Sequence, residues 1–313
     1  MRTVAVVIFC FNRPAELRKL IEALAQYKPR KVLIVADGPR SGVPSDFQKC
    51  KEVELLYRNL PWDCQVQYNV AQTNLGLKER FSSGLKWSFE IVDKAIILED
   101  DCIPDPSFFT FAQEMLERYE FDETVGMVQG WSAYKSIPIP QDFYFSNRPK
   151  VWGWATWGRV VQGFDVDIPF WYKIDQVKLL KSKGFPAFQI PGIRAKINSA
   201  NQVNTWDYQW VAYLWSKGYS SIAPKRPLIR NIGFGEDATH TKTDFGGYSQ
   251  RAGSLSEPYS ASPAPYGVGR IIDKSENLVS LARWIKGALL NPRTAFRLIY
   301  ARLRKLGGSV HGS

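Results

Sequence analysis

One segment, Ala95-Ile-Ile-Leu-Glu-Asp-Asp101, joins a run of four apolar residues directly to three consecutive carboxylates. A short, continuous apolar run is typical of a strand that is buried on both faces of a parallel sheet. In open parallel sheets, ligands bind outside the carboxyl ends of the strands. The segment therefore predicts a buried strand whose C-terminal end opens into an acidic ligand site.

Three further strands precede this one, and helical patterns separate them. The strands are predicted at Val4–Phe9, Lys31–Val35 and Gln65–Val70. One helix follows Asn12, which is expected to cap it, and has Pro14 in its first turn; others are expected at 79–89 and from Asp105 onward. Strands that alternate with helices predict an α/β fold with a mostly parallel, Rossmann-like sheet flanked by helices.

Length and composition exclude several classes of protein. The chain has 313 residues, of which 45% are hydrophobic and 23% charged, which excludes wholesale disorder and fibrous repeats. No apolar run reaches the length of about 18 residues that a transmembrane helix needs, and no signal peptide is recognisable. The cysteines form no CxxC pair and have no histidine near them, which argues against disulfides and zinc: Cys10, Cys50, Cys64 and Cys102. We therefore predict a cytoplasmic location.

The composition changes along the chain and suggests three parts. Residues 1–130 carry the strand and helix alternation and form the predicted ligand-binding lobe. Residues 131–270 are rich in tryptophan and proline and are predicted to form a second lobe at the end of the first sheet, with a surface loop at 238–267. Residues 271–313 are predicted to form a basic, amphipathic helical tail.

The acidic triplet Glu99, Asp100 and Asp101 has two interpretations. Adjacent carboxylates repel one another unless a cation is present. Hard oxygen ligands of this kind suit Mg²⁺ or Mn²⁺, which proteins bind through one or two carboxylates together with substrate phosphates. The alternative is an acidic cluster that favours the N-terminus of the next helix.

Four motifs in order resemble family 2 glycosyltransferases of the GT-A fold. They are Val7-Ile-Phe-Cys-Phe-Asn-Arg-Pro14, Val35-Ala-Asp-Gly38, Asn74-Leu-Gly-Leu-Lys-Glu-Arg80 and Leu98-Glu-Asp-Asp101. Within that superfamily, the stretch from Leu98 to Phe109 is similar to one in the Golgi N-acetylglucosaminyltransferase of complex N-glycan synthesis. The resemblance covers residues 1–240 and implies a nucleotide-sugar donor.

The resemblance implies a role for each matching residue of the first lobe. Asp37 would contact the uridine base or ribose, and Arg80 would reach the nucleotide; their alternatives are a turn residue and a solvated helix residue. Asp101 would be the direct metal ligand. The remaining implied donor-site residues are Asn12, Asn74, Gly76, Glu99 and Asp100.

The second lobe would supply the acceptor site and the base. The segment Val151-Trp-Gly-Trp-Ala-Thr-Trp157 resembles one that packs against the donor sugar, which implies contacts from Trp152, Gly153 and Trp154; core packing is the alternative. Thr205-Trp-Asp-Tyr-Gln-Trp210 resembles a segment whose aspartate is the catalytic base, which implies Asp207; a helix-capping aspartate is the alternative. His240 is expected to complete the metal or pyrophosphate site, or else to be a surface loop residue.

Taken together, the motifs predict an inverting glycosyltransferase, dependent on Mn²⁺ or Mg²⁺, that acts in surface polysaccharide synthesis on a glycan or lipid-linked acceptor. The alternatives are a sugar nucleotidyltransferase and a non-catalytic glycan-binding protein. The first lacks support because no glycine-rich loop follows the first strand, and the second leaves the acidic triplet unexplained.

The tail carries eight basic and two acidic residues from position 273 onward. It is predicted to contact an anionic membrane surface, with packing on the catalytic lobe or contact with nucleic acid as alternatives; no nucleic-acid motif is present elsewhere.

Overall fold

The computed structural model describes residues 3–132, 137–233, 252–265 and 267–276. The strands in this part are β1 (Ala5–Cys10), β2 (Lys31–Ala36), β3 (Gln65–Val70), β4 (Lys94–Glu99), β5 (Cys102–Pro104), β6 (Val125–Gln129), β7 (Phe143–Ser146), β8 (Trp154–Trp157), β9 (Ser220–Pro224) and β10 (Ile229–Asn231). The helices are α1 (Pro14–Tyr27), α2 (Pro44–Arg58), α3 (Leu77–Ile91), α4 (Pro106–Arg118), α5 (Gly158–Val161), α6 (Gln176–Ser182), α7 (Ile190–Ser199), α8 (Asp207–Ser216) and α9 (267–276). Short 3₁₀ helices lie at Pro169–Tyr172 and Ala200–Gln202.

The strands form one eight-stranded sheet and a small ribbon. The sheet order is β3-β2-β1-β4-β8-β6-β9-β7, and only β8 and β7 run antiparallel to the other strands. The ribbon pairs β10 with β5. This architecture confirms the predicted α/β fold with a mostly parallel sheet flanked by helices.

The apolar runs explain which strands are central. Every residue of β1 is buried, as is every residue of β2 after Lys31. By contrast, β3 lies at one edge of the sheet, and its alternation of Gln65, Gln67 and Asn69 with less polar residues leaves it largely exposed. A polar, exposed edge strand discourages unwanted pairing with a second chain.

Both predicted lobes contribute to one sheet and to its main core, and a separate buried cluster around Trp171 lies within the second lobe. Strand β8, from the tryptophan-rich segment, lies between β4 and β6. Its residues Trp154, Ala155 and Trp157 belong to the same buried cluster as Val7 of β1. The boundary at residue 130 stays a prediction, and the described residues on either side of it are packed as a continuous unit.

The beginning of the predicted tail packs on the body of the protein. Helix α9 lies against β7, where Asp273 accepts hydrogen bonds from Ser146 Oγ at 2.6 Å and from the Asn147 amide at 2.7 Å. The close approach requires Gly269, since a Cβ there would lie 2.1 Å from the carbonyl oxygen of Phe145. The rest of the tail, from residue 277, lies outside the described residues, as does most of the predicted loop at 238–267.

Two local expectations differ from the structure. Asn12 does not cap α1, because its side-chain amide instead donates to Asp46 Oδ1 at 2.7 Å; the cap position is Arg13, with Pro14 following as predicted. Helix α2 was not anticipated because it buries only Asp46, Val53 and Tyr57 and so shows a weak apolar pattern. Among the described residues, no helix has the length and apolar character needed to cross a bilayer.

Candidate active site

A cavity of about 1010 Å³ opens at the carboxyl ends of β1, β2 and β4. Its walls also include the start of α3, the last turn of α7 and the first turn of α8. Most of the residues predicted for the site line it: Asn12, Asp37, Asn74, Gly76, Arg80, Glu99, Asp100, Asp101, Trp152 and Asp207. The crossover connections of the parallel sheet explain this convergence, because they bring the C-terminal ends of these strands to one edge.

The acidic triplet lies at the end of β4, as predicted. Burial and the neighbouring charge of Asp101 raise the pKa of Asp100 to about 7. Burial, followed by the charges of Asp101, Asp100 and Asp207, raises the pKa of Glu99 well above its ordinary value. The contribution of Asp207 shows that this side chain from α8 lies close enough to the triplet to influence it. The triplet is therefore a cluster of acidic groups, Glu99 and Asp100 with raised pKa values, that faces the cavity.

Arg13 is the cation nearest to the triplet in the described part of the chain. Its Nη1 lies 2.8 Å from Asp101 Oδ2 and 3.8 Å from Asp100 Oδ1. These carboxylates in turn raise the pKa of Arg13, although burial opposes them. The single guanidinium offsets part of the charge of three carboxylates, and the remainder is available to a second cation.

Asn231, the last residue of β10, and Ile232, which follows the strand, contact the other side of Asp101. The amide of Ile232 donates to the Asp101 carbonyl at 2.8 Å, and Asn231 Nδ2 lies 3.3 Å from Asp101 Oδ1. Asn231 is itself oriented by the amide of Gly233, which donates to its Oδ1 at 2.8 Å. A Cβ at Gly233 would lie only 2.0 Å from Asp101 Oδ2, so a glycine is needed for this close approach.

Asp37 organises the turn that follows β3. Its Oδ1 accepts from the amides of Gly38 and Leu75, both at 2.9 Å. Its Oδ2 accepts from Asn74 Nδ2 at 2.8 Å and from the Gly76 amide at 3.1 Å. Gly76 has φ +81°, a conformation that favours glycine. Asp37 thus lines the cavity and shapes it as a turn residue, so both interpretations from the sequence describe part of its role.

Arg80 is a buried residue of α3, and the solvated alternative is wrong. It is 5% exposed, and its Nη2 donates to the carbonyl and to Oδ1 of Asn69 on β3, the latter at 2.9 Å. Its Nε is buried without a hydrogen-bond partner among the described residues. Burial lowers the pKa of Arg80, and the charge of Asp37 partly opposes this effect. The arginine therefore brings a buried positive charge, with one unused donor, to the cavity wall.

Asp207 begins α8, and its side chain does not cap the helix. Its Oδ1 instead accepts a hydrogen bond from the buried hydroxyl of Thr205. The neighbouring Trp206 ring stacks on Phe81 of α3 with 3.4 Å between ring centroids and 5° between planes. Since Phe81 adjoins Arg80, this stack joins the helix that carries the predicted base to the helix that carries the predicted donor contact.

The residues of the predicted sugar-contact segment lie in different environments, some at the cavity and some in the core. Trp152 lines the cavity, with its ring edge-on to Trp131 at 5.1 Å. Trp154 is 1% exposed and packs on Trp210 with 4.9 Å between ring centroids, so its prediction as a donor contact is wrong: it lies in β8, which is buried along its whole length, whereas Trp152 precedes the strand. Gly153 likewise serves packing, because a Cβ there would lie 2.5 Å from Ile229 Cδ1.

The remaining predicted residues are Asn12 and His240. Asn12 lines the cavity, but its amide nitrogen is engaged by Asp46, a carboxylate that also pairs with Arg40 at 2.5 Å. The interaction with Arg40 is the main reason that the pKa of Asp46 is lowered to about 2. His240 lies outside the described residues, so its role stays a prediction.

The triplet has the donor chemistry for a divalent cation. Its oxygens are hard ligands, and a cation would relieve the repulsion that raises the pKa values of Asp100 and Glu99. Among the described residues, no group of three or more His, Cys, Asp and Glu side chains is arranged so that it could hold a metal ion. Substrate phosphates and water would therefore have to complete the coordination, as is usual for Mg²⁺.

Sequence reasoning missed several residues that support this site. Arg13 and Asn231 hold Asp101, Thr205 holds Asp207, and Asn204 Oδ1 accepts from the Lys78 amide at 2.8 Å beside Gly76. A charged residue directly after β1 was a detectable signal for Arg13. No local signal exists for the others, because their partners are distant in the sequence or their role depends on the side-chain rotamer.

Comparison with solved structures gives 110 matching chains, and the likeness to two of them is weak. No protein-family model and no curated protein matches the chain. A structure of UDP-glucose pyrophosphorylase complexed with UDP-glucose is 8% identical with a TM-score of 0.38, and the match covers 72% of this chain and 92% of that one. Mouse xyloside xylosyltransferase 1, in its apo form, is 10% identical with a TM-score of 0.36, covering 68% and 82% respectively. At these scores neither likeness supports a conclusion about this chain.

Proposed function

We propose that this chain is an inverting, metal-dependent glycosyltransferase that moves a sugar from a nucleoside diphosphate, with UDP as the first candidate, to a hydroxyl of a glycan or glycolipid. The observation that carries the proposal is a convergence in one cavity. The acidic triplet of β4, the Asp37 turn, Arg80 of α3 and Asp207 of α8 are far apart in the sequence and line the same walls. Together with the motif resemblance, this combination favours a nucleotide-sugar site.

In the proposed reaction, Asp207 accepts the proton of the acceptor hydroxyl while the acceptor oxygen forms the new bond to the anomeric carbon. The bond from that carbon to the diphosphate breaks, and the diphosphate leaves with the electron pair. Attack from the face opposite the leaving group inverts the anomeric configuration. Asp101 would hold the metal, as would His240 by the motif resemblance, and bound Mn²⁺ or Mg²⁺ would neutralise the leaving diphosphate.

The remaining parts of the proposal rest on the sequence. They are a cytoplasmic location, a role in surface polysaccharide synthesis, a lipid-linked acceptor and contact of the tail with an anionic membrane surface. The contact of α9 with β7 supports the alternative of packing on the body for residues 267–276. It leaves the segment from 277 onward as the candidate membrane contact.

The proposal is tested by incubating the purified chain with a panel of UDP-sugars, with and without Mn²⁺, and measuring UDP release. We expect Mn²⁺-stimulated release, loss of the stimulation in Asp101→Asn, and turnover about 10²–10⁴-fold lower in Asp207→Asn. Glu123→Gln is the matched control, since Glu123 is exposed and outside the cavity.

Each alternative function gives a different result in this assay. A sugar nucleotidyltransferase would form a nucleoside triphosphate when pyrophosphate is added, and a glycan-binding protein would release no UDP. Nuclear magnetic resonance of the glycoside product reports its anomeric configuration. A product of retained configuration would exclude the inverting mechanism, and unchanged turnover in Asp207→Asn would place the base elsewhere.

A further inference from the structure

The cavity has a wall that the donor-binding residues do not account for. At about 1010 Å³ it lies at the upper end of the range of roughly 300–1,000 Å³ that small-molecule sites occupy. The predicted donor contacts of the first lobe lie on the ends of β1, β2 and β4 and on α3. The remaining wall is formed by the last turn of α7, the following loop and the first turn of α8. A second molecule therefore has both space and a surface to bind.

This wall is held together by a buried glutamine. Gln209 of α8 is completely buried, and its Nε2 donates to the carbonyl of Ala200 at 3.1 Å and to that of Thr205 at 2.7 Å. These bonds place the last turn of α7, with Lys196, beside the first turn of α8, with Tyr208. Both residues line the cavity, as do Asp207 and the acidic triplet.

The charge of Lys196 has no partner within the described part of the chain. The arginines that line the cavity have partners: Arg13 pairs with Asp101, Arg40 with Asp46, and Arg80 Nη2 with Asn69, while Arg80 Nε is buried without a partner among the described residues. The Lys196 ammonium is exposed and makes no hydrogen bond or ion pair with a described residue. It is therefore available to an anionic group of a bound molecule.

Tyr208 provides a partly exposed aromatic surface beside the predicted base. The residue is 38% exposed. Burial of its phenol, followed by the negative charge of Asp207, raises the pKa of Tyr208, so the two side chains are close. A flat ring that is open to the cavity suits the C–H face of a sugar, because the ring face carries partial negative charge.

We propose that this wall binds an acceptor saccharide that carries a negative charge, with its sugar ring on Tyr208 and its anionic group at Lys196. The inference rests on the proposed function, because the acceptor hydroxyl must reach Asp207 in the same wall. Two sources supply the shared chemistry of the anion: the carboxylate of an acidic sugar, and the phosphate that joins a sugar to a lipid.

The test measures binding, so it does not require a known acceptor. Calorimetry on the full chain, with and without UDP and Mn²⁺, compares three probes: methyl glucoside, methyl glucuronide and glucose 1-phosphate. We expect at least one charged probe to bind about tenfold more tightly than the neutral one, as one additional charge-assisted hydrogen bond provides. Preference for the glucuronide indicates an acidic sugar, and preference for the phosphate indicates a phosphate-linked acceptor.

Variants assign the preference to this wall. Lys196→Gln should abolish the tenfold preference, and Lys178→Gln, at an exposed lysine of α6 outside the cavity, should retain it. Tyr208→Ala should weaken all three probes about fivefold, and Tyr208→Phe should bind them as the parent does. Equal binding of charged and neutral probes by the parent, or a preference that survives in Lys196→Gln, would overturn the inference.

The same measurements separate this inference from the proposed function. If Lys196→Gln weakens UDP binding and leaves the saccharide preference intact, the lysine belongs to the donor site and the inference is wrong. If the parent chain shows the saccharide preference but releases no UDP from any UDP-sugar, the glycosyltransferase proposal fails and the anionic saccharide site stands.

Discussion

Replacing Thr205 with valine tests whether the orientation of Asp207 controls turnover. Thr205 is 5% exposed, and its hydroxyl donates to Asp207 Oδ1. Valine has nearly the same shape, so the change removes one hydrogen bond to a charged acceptor, worth about 1.5–3 kcal/mol. Because Asp207 is only partly buried, water replaces some of this bond. We expect a net loss of about 1–1.5 kcal/mol in the transition state, which lowers kcat about tenfold.

The assay is steady-state transfer with the donor and acceptor concentrations varied separately. The donor KM should stay unchanged in Thr205→Val, because the hydroxyl does not support the donor-binding residues, and Thr205→Ser should restore kcat. Thr156→Val is the matched control: its buried hydroxyl donates to the Gly126 carbonyl at 2.7 Å, away from the cavity, so it should lower stability by about 1 kcal/mol without changing kcat. Full turnover in Thr205→Val, or a serine variant as slow as the valine variant, would refute the positioning role.

Three further predictions follow from the site and the tail. The folded-state pKa of Asp100 is raised to about 7, so the stability of the metal-free protein should fall as the pH rises from about 4 to about 7. Melting temperatures should show this fall, and both added Mn²⁺ and the Asp100→Asn substitution should make it smaller. A melting temperature of the metal-free parent that does not change with pH would contradict the raised pKa. Gly233→Ala places a Cβ 2.0 Å from Asp101 Oδ2 and should weaken Mn²⁺ stimulation at least tenfold in the UDP-release assay. Gly267→Ala is the control and should match the parent, because a Cβ at Gly267 has no atom within 4 Å. Equal stimulation in both variants would show that Asp101 tolerates displacement. A chain that ends at Glu276 keeps the α9 contacts with β7 and should fold but no longer float with anionic liposomes; equal flotation of the full and shortened chains would exclude the tail as the membrane contact.

The parts of the site that were predictable lie directly after apolar strands. Asp37 follows β2 and the acidic triplet follows β4, and the carboxyl ends of parallel strands meet at one edge of a sheet. Their presence in one cavity therefore followed from the pattern of strands. Their interactions could not be predicted in this way. Asp37 accepts four hydrogen bonds, one from Gly38 and three from the turn at 74–76. These bonds depend on the backbone path of a loop, which no apolar pattern describes.

The second half of the site shows where local pattern stops being informative. Trp152 and Trp154 are both tryptophans of one short segment, yet one lines the cavity and the other packs in the core. Trp152 precedes β8, with Gly153 at φ +59° between the two, whereas Trp154 belongs to β8, which is buried along its whole length by its pairing between β4 and β6. The pairing joins residues about 60 positions apart in the sequence.

The amino-acid sequence was enough to predict the α/β class, the first four strands and the position of an acidic cluster at a strand end. These features depend on runs of apolar residues and on their period, which are local properties of the chain. Three contacts became visible in the folded protein alone: Arg13 pairs with Asp101 across 88 positions, α9 packs on β7, and Thr205 donates to Asp207. Such contacts depend on how elements pack against one another and on side-chain rotamers. Nothing in the local periodicity of a sequence encodes either of them.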